Sequence, residues 1–510
     1  MDGAEAIVST AVAAGMDVCF ANPGTTELDL VAALDTVPGA RAVLGTFEGV
    51  CTGAADGYAR MADRPAWTML HLGPGFANGA ANLHNARRAR SPVVGVVGDQ
   101  ASWHQPADAP LTTDIAGLAA PVSDWVGSTS SSLDAGADFA GAAALAATGR
   151  VATLLLPADH AWGDGKTAEA PDVALRRPAP ATDAVTEAAA ALRQARRPLV
   201  LLGGAGCRAD GVRAAAAVAA ATGAELVVET FPPRLERGAG LPAPAKLAYV
   251  PEKAAEALAD HDVIVLAGAR PPVTFFGYRG LPSALSPPGA RVITIAGQDE
   301  DAAAGLAGLA AEFDAPAAPA PGAAPPQRPA GTLDLAALGA AVAAAQPEGA
   351  IVVDESNTSG VSYFPAAAAA PPHTCLSLTG GAIGFGPPAA AGAAVACPDR
   401  PVINLQADGS ALYTLQALWT QAREGLDVTT VICANGDYRI LRYELGRLGA
   451  DRFGVAAAGL TDLGNPAVDW VSLAAGFGVA GRRAETAEEL NDALAAALAE
   501  PGPHLVQACL

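Results

Sequence analysis

Two segments of the chain decide its fold: VINLQADGS at residues 402–410 and VTTVICANGDY at residues 428–438. Each begins with an apolar, β-branched run that predicts a buried strand, and the residues between them are apolar at helical spacing. A strand, a helix and a second strand in this order form a parallel unit, so both strands end at the same edge of a sheet. Asp408 and Asn435 are therefore predicted to lie side by side at that edge.

The residues that follow the first strand suit a ligand that carries phosphate. Gly409 lets the backbone approach a ligand closely, and Ser410 is predicted to open a helix whose free N–H groups attract phosphate. The carboxylate of Asp408 and the amide oxygen of Asn435 are hard oxygen donors of the kind that hold Mg²⁺ on a diphosphate. Asp-Gly-Ser alone is also an ordinary turn with an N-cap, and the pairing with Asn435 favours the ligand site.

The same residues resemble the diphosphate-binding motif of enzymes that depend on thiamine diphosphate (ThDP), in which Gly-Asp-Gly-Ser is followed by an Asn. Ala407 stands in place of the first glycine of that motif. The resemblance implies Mg²⁺ ligands from the Asp408 carboxylate, the Asn435 amide oxygen and the backbone carbonyl of Asp437. It also implies cofactor contacts at Gly409, Ser410, Asp437 and Tyr438.

Length and composition limit the class of protein. The 510 residues are enough for about three domains, 51% of them are hydrophobic, and the formal net charge is −21. Such an acidic chain is not expected to bind nucleic acid or anionic membranes. The N-terminus has no apolar signal segment, the Ala-rich runs are too short or too interrupted to span a bilayer, and the seven cysteines are scattered without a CxxC pair. We therefore expect a cytoplasmic protein without a disulfide framework or a zinc site.

The N-terminal region places an acid at the end of a predicted strand. Residues 42–46 are predicted to form this strand and to deliver Glu48 to the start of a helix, where an acid would also simply complement the helix dipole. The run from Asn22 to Asp99 resembles the pyrimidine-binding domain of acetolactate synthases and benzoylformate decarboxylases. By that resemblance Glu48 hydrogen-bonds N1′ of the aminopyrimidine and stabilises the imino tautomer that acts as the base.

Two further residues of the N-terminal region resemble positions near the substrate in benzoylformate decarboxylase-like proteins. Thr25 and His71 match residues that face the 2-oxo acid, and His71 is predicted to relay protons or to bind the substrate carboxylate. The alternative for His71 is a strand-end histidine bonded to backbone. Phe276 stands where a second histidine is usual, which predicts slower protonation of the carbanion and more time for attack on a second carbonyl. His104 is a weaker candidate, at the entrance of the site.

The central region carries the main competing signal. The strand 198–202 is followed by Gly204 and Gly206, and the next strand ends in Glu229, which fits a dinucleotide-binding turn. A flavin- or nicotinamide-dependent oxidoreductase is therefore the alternative function. By resemblance this region is the middle domain, which binds FAD in acetolactate synthases and is empty in benzoylformate decarboxylase. The segment 270–278 resembles the latter more closely, so FAD is possible but not favoured.

The third region completes the predicted cofactor site. By resemblance, Asn357 and Thr358 touch the diphosphate. The glycine-rich segment 380–386 matches the family turn that cradles the aminopyrimidine, where the Gly381 carbonyl would accept a hydrogen bond from the 4′-amino group. Ile383 would hold the two cofactor rings in a V that brings the reacting atoms together. As an alternative, Ile383 is an ordinary core residue.

These observations predict an α/β fold of three doubly wound domains with parallel sheets. The expected boundaries are a ThDP pyrimidine-binding domain at 1–181, a central Rossmann-like domain at 182–314, a linker at 315–332 and a ThDP diphosphate- and Mg²⁺-binding domain at 333–510.

The predicted function is ThDP- and Mg²⁺-dependent decarboxylation of a small 2-oxo acid. The carbanion would then be protonated, or ligated to a second carbonyl. Family geometry implies a homodimer or homotetramer in which Glu48 of one subunit faces Asp408 of another. A catalytically silent ThDP-fold protein is a further alternative, against which the presence of Glu48, Asp408 and Asn435 argues.

Overall fold

The computed structural model describes residues 1–316, 324–447 and 454–510. The described chain divides into two compact units. Unit 1 comprises residues 1–175, 325–367 and 380–510, and unit 2 comprises residues 176–324 and 368–379. Part of the predicted linker, residues 317–323, lies outside the described residues, and the predicted division into domains stays a prediction.

The N-terminal part of unit 1 is a six-stranded parallel sheet with helices between its strands, in the order β2-β1-β3-β4-β6-β5. Its strands are β1 Val18–Asn22, β2 Arg41–Leu44, β3 Ala66–His71, β4 Val93–Asp99, β5 Trp125–Ser128 and β6 Val151–Pro157. Its helices are α1 Gly3–Ala13, α2 Leu28–Thr36, α3 Glu48–Ala62, α4 Leu72–Ala89, α5 Ile115–Ala119, α6 Ala135–Ala146 and α7 Ala158–Trp162, with short 3-10 helices at Thr25–Glu27 and Gln105–Ala107.

The sequence of this sheet explains which strands are central. The strands β3, β4 and β6 are buried along almost their whole length, as expected for parallel strands that are covered on both faces. Trp67 of β3 packs edge-on against Phe139 of α6, with ring centroids 5.8 Å apart, and its indole N–H donates to the Met16 carbonyl. This core fixes the carboxyl ends of the strands, where His71 is the last residue of β3 and Glu48 is the first residue of α3.

Unit 2 contains a second, five-stranded parallel sheet in the order β10-β8-β7-β11-β12. The strands of this region are β7 Pro198–Leu202, β8 Glu225–Val228, β9 Arg234–Arg237, β10 Ala245–Lys246, β11 Val263–Ala267 and β12 Arg291–Ala296. The helices are α8 Thr182–Leu192, α9 Ala209–Thr222, α10 Pro251–Leu258 and α11 Ala302–Ala311, with a 3-10 helix at Gly204–Cys207.

The C-terminal part of the chain supplies the third parallel sheet. Within unit 1 its order is β17-β18-β16-β15-β13. The strands are β13 Ile351–Glu355, β14 His373–Ser377, β15 Val402–Ala407, β16 Val428–Ala434, β17 Ala480–Ala484 and β18 His504–Cys509. Of these, β14 belongs to unit 2, where it pairs antiparallel with β9.

The helices of the C-terminal part lie between these strands. They are α12 Leu335–Ala345, α13 Tyr363–Ala366, α14 Gly386–Ala396, α15 Asp408–Ala411, α16 Ala417–Glu424, α17 Arg439–Arg447, α18 Val455–Thr461, α19 Trp470–Gly476 and α20 Ala487–Ala499, with a 3-10 helix at Ala367–Ala369. Three parallel sheets in an α/β chain confirm the predicted fold class. No helix in the described part of the chain is both long and apolar enough to cross a membrane.

The predicted parallel unit around residues 402–438 is confirmed, with one correction. The strands β15 and β16 pair in parallel, with Ala407 opposite Cys433. The prediction that Ser410 opens the helix is wrong: α15 begins at Asp408 and ends after one turn, and the longer helix α16 begins only at Ala417. Between them the Thr414 hydroxyl donates to the Gly384 carbonyl, 2.9 Å away, and this tertiary bond accompanies the break in the helix.

Close packing of two helices joins the N- and C-terminal parts within unit 1. Helix α3 presents Gly53 and Gly57 to α14. A Cβ atom at Gly53 would lie 2.7 Å from Cγ of Pro388, and one at Gly57 would meet the backbone of Ala389. Only glycine permits an approach this close, so these two positions bring the start of α3 towards the turn that precedes α14.

Candidate functional site

The Asp408 carboxylate connects the two strand-end turns of the predicted diphosphate site. Its side chain is buried, Oδ1 accepts from the Gly409 N–H at 2.8 Å, and Oδ2 accepts from the Gly436 N–H at 2.7 Å. Burial raises the pKa of Asp408, and the backbone N–H groups of Gly436, Gly409 and Asn435 act in the opposite direction. The carboxylate therefore lies where the ends of β15 and β16 meet, as the sequence predicts.

Asn435 links this edge to the segment that follows β13. Its Nδ2 donates to the Ser359 hydroxyl at 2.8 Å, and its Oδ1 accepts from the Asp437 N–H at 2.9 Å. The predicted diphosphate contacts Asn357 and Thr358 immediately precede Ser359, so the structure brings them to the same edge. Asn357 is exposed and has a left-handed backbone conformation, with φ of 51°. Sequence reasoning missed Ser359, although it stands next to two predicted contacts.

The side chains of Asp437 and Tyr438 make different contacts near the diphosphate turn. The Asp437 carboxylate forms an ion pair with Arg442 at 2.6 Å, so its backbone carbonyl, rather than its side chain, remains the candidate metal ligand. The Tyr438 ring packs over Gly409, and a Cβ atom at Gly409 would collide with it. The Ser410 hydroxyl accepts from Gln406 Nε2 at 2.6 Å and donates to the Ala407 carbonyl, so its bonds are made within its own turn.

Glu48 is held at the other end of the predicted site. Its side chain is only 7% exposed, and Oε2 accepts from Asn78 Nδ2 at 2.9 Å. The other oxygen, Oε1, lies beside Gly75, where a Cβ atom would be 2.9 Å away. Neither Asn78 nor Gly75 was identified from the sequence as a partner of Glu48. Both lie on α4, whereas Glu48 begins α3, so their contact with Glu48 depends on how the two helices pack and no sequence spacing indicates it.

The turn 380–386 approaches the start of α3 within a single chain. Asn82 Nδ2 donates to the Gly49 carbonyl at 2.9 Å and to the Gly384 carbonyl at 3.2 Å. Gly381 has φ of 77°, and a Cβ atom placed on it would have no heavy atom within 4 Å, so its backbone faces open space. Ile383 is partly exposed rather than buried in the core. The turn thus presents the two predicted pyrimidine contacts outward.

His71 forms a pair with a buried carboxylate. Its Nδ1 lies 2.8 Å from Oε2 of Glu27, which is fully buried and also accepts from the Gly24 N–H. The Thr26 hydroxyl donates to Oε1 of Glu27 and lies 3.4 Å from the imidazole. The partner of His71 is therefore a side chain and not the backbone partner of the alternative interpretation. Sequence reasoning did not identify Glu27 as a partner of His71.

Two of the remaining candidates near the substrate, Thr25 and Phe276, are exposed, and His104 is partly buried. Thr25 is exposed at the start of its 3-10 helix, and its neighbour Thr26 is the residue that contacts Glu27. His104 packs edge-on against Trp103, whose side chain is 71% exposed. In unit 2, Phe276 is 60% exposed and packs against Tyr278. The roles of these residues stay predictions.

Comparison with known families decides what binds at this site. The N-terminal TPP (thiamine pyrophosphate, or thiamine diphosphate) binding domain of thiamine pyrophosphate enzymes matches residues 1–118. The C-terminal TPP binding domain of the same enzymes matches residues 357–508. The chain belongs to the family of ThDP-dependent enzymes. The two matched regions contain Glu48 and Asp408, at opposite ends of the predicted site.

Individual relatives of this ThDP enzyme cover nearly its whole length. It is 54% identical over 99% of its residues to a Mycobacterium tuberculosis protein assigned as the acetolactate synthase large subunit IlvX, of which it covers 98%. It is 30% identical over 97% of its residues to the benzoylformate decarboxylase of Pseudomonas aeruginosa, covering 96% of that protein. The 4-hydroxybenzoylformate decarboxylase of Rhodococcus jostii RHA1 has a similar structure, with a TM-score of 0.84, 26% identity and coverage of 100% of this chain and 99% of that one.

The side chains present fit ThDP with Mg²⁺. The donors available at the diphosphate edge are a carboxylate, an amide oxygen and a backbone carbonyl, which is the oxygen set that Mg²⁺ prefers. The described residues contain no cluster of three or more His, Cys, Asp and Glu side chains of the kind that would hold a different metal. Open backbone at Gly381 and Gly436 leaves room for a ligand, since among the described residues a Cβ atom there would have no neighbour closer than 3.9 Å. The comparisons favour this assignment over the oxidoreductase alternative and do not favour FAD.

Proposed function

We propose that this ThDP enzyme requires Mg²⁺ and decarboxylates a small 2-oxo acid. The observation that supports this most directly is the placement of the buried Glu48 carboxylate. One of its oxygens accepts a hydrogen bond from Asn78, and the other lies beside Gly75, where any side chain would crowd it. Such a carboxylate can accept a hydrogen bond from N1′ of the pyrimidine without competition from water. Asp408, Asn435 and the Asp437 carbonyl would hold Mg²⁺ on the diphosphate.

ThDP, when bound, supplies a nucleophilic carbon and an electron sink for the carbanion left by CO₂. The contribution of the chain is to hold protons and to orient groups. Glu48 would keep a proton at N1′, which favours the imino form of the exocyclic 4′-amino nitrogen. The Gly381 carbonyl would orient that nitrogen, and Ile383 would support the bent conformation of the cofactor.

His71 is the proton carrier that we assign to the substrate side. Glu27 fixes one ring nitrogen, so the imidazole keeps a defined orientation with Nε2 on the opposite side. From there Nε2 would bind the substrate carboxylate or deliver a proton to the carbanion. Thr25, on the exposed face of the same turn, would contact the substrate. A proton donor in this position supports an aldehyde-forming decarboxylase.

Carboligation is the second candidate. The relative with 54% identity is assigned as an acetolactate synthase subunit, and Phe276 supplies no ionisable group where related decarboxylases have a histidine. A carbanion that is protonated slowly would have time to attack a second 2-oxo acid. The two candidates share the decarboxylation step and differ in the fate of the carbanion.

The product distinguishes these two candidates. The purified protein would be incubated with ThDP, Mg²⁺ and either pyruvate or benzoylformate, and the products identified by mass spectrometry. An aldehyde alone indicates a decarboxylase, whereas a hydroxyketone or an acetohydroxy acid indicates a carboligase. Release of CO₂ from neither acid would contradict the proposed substrate class.

We further propose a homodimer or homotetramer with active sites between subunits. The exposed Leu412 and Tyr413, directly after α15, would be covered in such an assembly. Mixing the inactive variants Glu48→Gln and Asp408→Asn tests this, because mixed dimers would contain one intact site if the two residues come from different chains. Restored turnover is expected, and its absence in dimers shown to have exchanged subunits would place both residues of a site in one chain.

The proposed compartment is the cytoplasm. None of the seven cysteines, all within the described residues, forms a disulfide, and five of them are buried, which suits a reducing environment. Fractionation of cells that express the protein tests this, with the protein expected in the fraction that holds cytoplasmic enzymes and not in the membrane fraction.

A further inference from the structure

A buried carboxylate with no role so far lies directly behind the pyrimidine-binding turn. Glu355 is the last residue of β13 and its side chain is 1% exposed. Its Oε1 accepts from the Gly384 N–H at 2.7 Å, and its Oε2 accepts from the Gly386 N–H at 2.6 Å. One side chain therefore fixes two backbone donors at the C-terminal end of the turn 380–386.

The same carboxylate is connected to the diphosphate turn. Gln406 lies opposite Glu355 in the pairing of β13 with β15, and its Nε2 donates to Oε2 of Glu355 at 3.0 Å. That Nε2 also donates to the Ser410 hydroxyl at 2.6 Å. Strand register thus places a continuous chain of hydrogen bonds between the turn for the pyrimidine and the turn for the diphosphate.

The carbonyl groups of the turn are fixed from the opposite side. Ala382 exchanges two hydrogen bonds with the Asn85 side chain, and the Gly384 carbonyl accepts from Asn82. On the other side of Gly381, the Gly380 carbonyl oxygen lies 3.1 Å from Nε2 of His84. Between Gly380 and Ala382, a Cβ position on Gly381 meets none of the described atoms within 4 Å, so this backbone faces open space. The bonds therefore constrain the turn on both sides of the carbonyl that would meet the cofactor.

We propose that Glu355 is a positioning residue for ThDP, which acts by holding the turn 380–386 in the conformation that presents the Gly381 carbonyl and Ile383 to the pyrimidine. The role rests on the proposed cofactor site. An ionised carboxylate suits it because both oxygens can accept, and Glu355 meets three donors. An amide or a protonated acid would turn a donor towards one of these N–H groups.

The cost of keeping this acid supports a specific role. Burial raises the pKa of Glu355 to about 7, even though hydrogen bonds from Gly386, Gln406 and Gly384 favour the ionised form. Burial disfavours the ionised carboxylate, yet backbone donors of the cofactor turn hold it in place. Its contribution is therefore to the shape of that turn more than to packing.

The variant Glu355→Gln tests the proposal with two ligands. Titration calorimetry would measure the affinity for ThDP with Mg²⁺, which needs both turns, and for inorganic pyrophosphate with Mg²⁺, which needs only the diphosphate turn. We expect ThDP to bind at least about 10-fold more weakly, because a buried donor loses its acceptor, and pyrophosphate to bind within about twofold of wild type. The matched control is Glu348→Gln, at an exposed glutamate before the same strand, which is expected to bind both ligands like wild type.

The outcomes separate this role from a merely structural one. Unchanged ThDP affinity in Glu355→Gln, or an equal loss for both ligands, overturns the proposal. If Glu355→Gln does not fold, Glu355→Asp is the substitute variant, because it keeps the charge and withdraws it by one methylene. The same selective loss of ThDP affinity is expected. Wild-type affinity of Glu355→Asp for ThDP would overturn the proposal. Failure of the wild-type protein to bind ThDP at all would instead overturn the proposed function, and this inference with it.

Discussion

Two glycine turns follow buried parallel strands, one in each unit, and they differ in what the glycines face. After β7 in unit 2, a Cβ atom at Gly203 would lie 2.7 Å from the Gly268 carbonyl oxygen, and one at Gly268 would collide with the Gly203 backbone. These glycines let two strands of the same sheet approach each other. At the end of β16 in unit 1, Gly436 has φ of 68°, and within the described parts of the chain no heavy atom lies closer than 3.9 Å to its Cβ position, so its backbone faces open space.

The acids beside the two turns differ in the hydrogen bonds that their carboxylate oxygens accept. Asp408 accepts backbone N–H groups with both oxygens. In unit 2, Oε1 of Glu229 is buried and finds no hydrogen-bond partner among the described residues. A glycine pattern after a strand therefore marks close backbone approach, and only the contacts show whether a ligand or another strand makes the approach.

The largest expected effect is at the acid of the turn in unit 1. Asp408→Asn removes the charged candidate ligand of Mg²⁺ and one acceptor for the backbone, so we expect the affinity for ThDP with Mg²⁺ to fall by roughly 100-fold or more. The matched change in unit 2, Glu229→Gln, is expected to leave this affinity unchanged. Fluorescence titration with ThDP at fixed Mg²⁺ measures both. An equal loss in the two variants would mean that the comparison between the turns is wrong.

The next effect separates binding from chemistry. Glu48→Gln keeps the shape of the side chain but cannot carry the charge that balances a protonated pyrimidine, so turnover is expected to fall by roughly 100- to 1000-fold, while ThDP affinity changes only a few-fold. Steady-state assay at saturating ThDP measures this. Asn78→Ala removes the hydrogen bond that Asn78 donates to Glu48, and it is expected to lower turnover by about 10-fold. Wild-type turnover in Glu48→Gln would refute the assigned role.

A smaller effect is expected where a glycine faces a side chain. Gly409→Ala would place a methyl group against the Tyr438 ring, so the ring must move away from the diphosphate turn. We expect ThDP to bind about 10-fold more weakly, corresponding to about 1.4 kcal/mol. The control Gly476→Ala lies in α19 with no neighbour within 4 Å, and it should leave ThDP affinity unchanged. Equal binding by both variants would show that the Tyr438 ring moves without cost.

The sequence predicts the diphosphate edge well because the contacts there follow from local order. A strand, a helix and a strand place Asp408 and Asn435 together whatever the rest of the chain does. The partners Glu27 of His71 and Asn78 of Glu48 depend on how separate elements pack. No spacing rule connects Glu355 to a turn 29 residues later, since that contact arises from the packing of the sheet. The break between α15 and α16 has the same origin, a bond from Thr414 to a distant carbonyl.

The smallest effect concerns the stability of unit 2. Burial raises the pKa of Glu229 from 4.5 to about 8, opposed by the Gly204 N–H and by Arg270. A carboxyl whose pKa is higher in the folded protein stabilises the fold fully below pH 4.5, and this contribution is lost as the pH rises through about 8. Glu229→Gln cannot ionise, so it should lose less stability than wild type between pH 5 and pH 9, by at least about 1 kcal/mol.

Thermal unfolding without ThDP, at pH 5 and at pH 9, measures this difference. The melting temperature of Glu229→Gln should rise relative to wild type by at least about 2 °C between the two pH values. The control Glu256→Gln changes an exposed glutamate of α10 and is expected to follow wild type at both. A difference in melting temperature between Glu229→Gln and wild type that stays constant with pH would show that Glu229 has a partner in solution that keeps it ionised. The turn in unit 2 would then resemble the turn in unit 1 more closely than its contacts indicate.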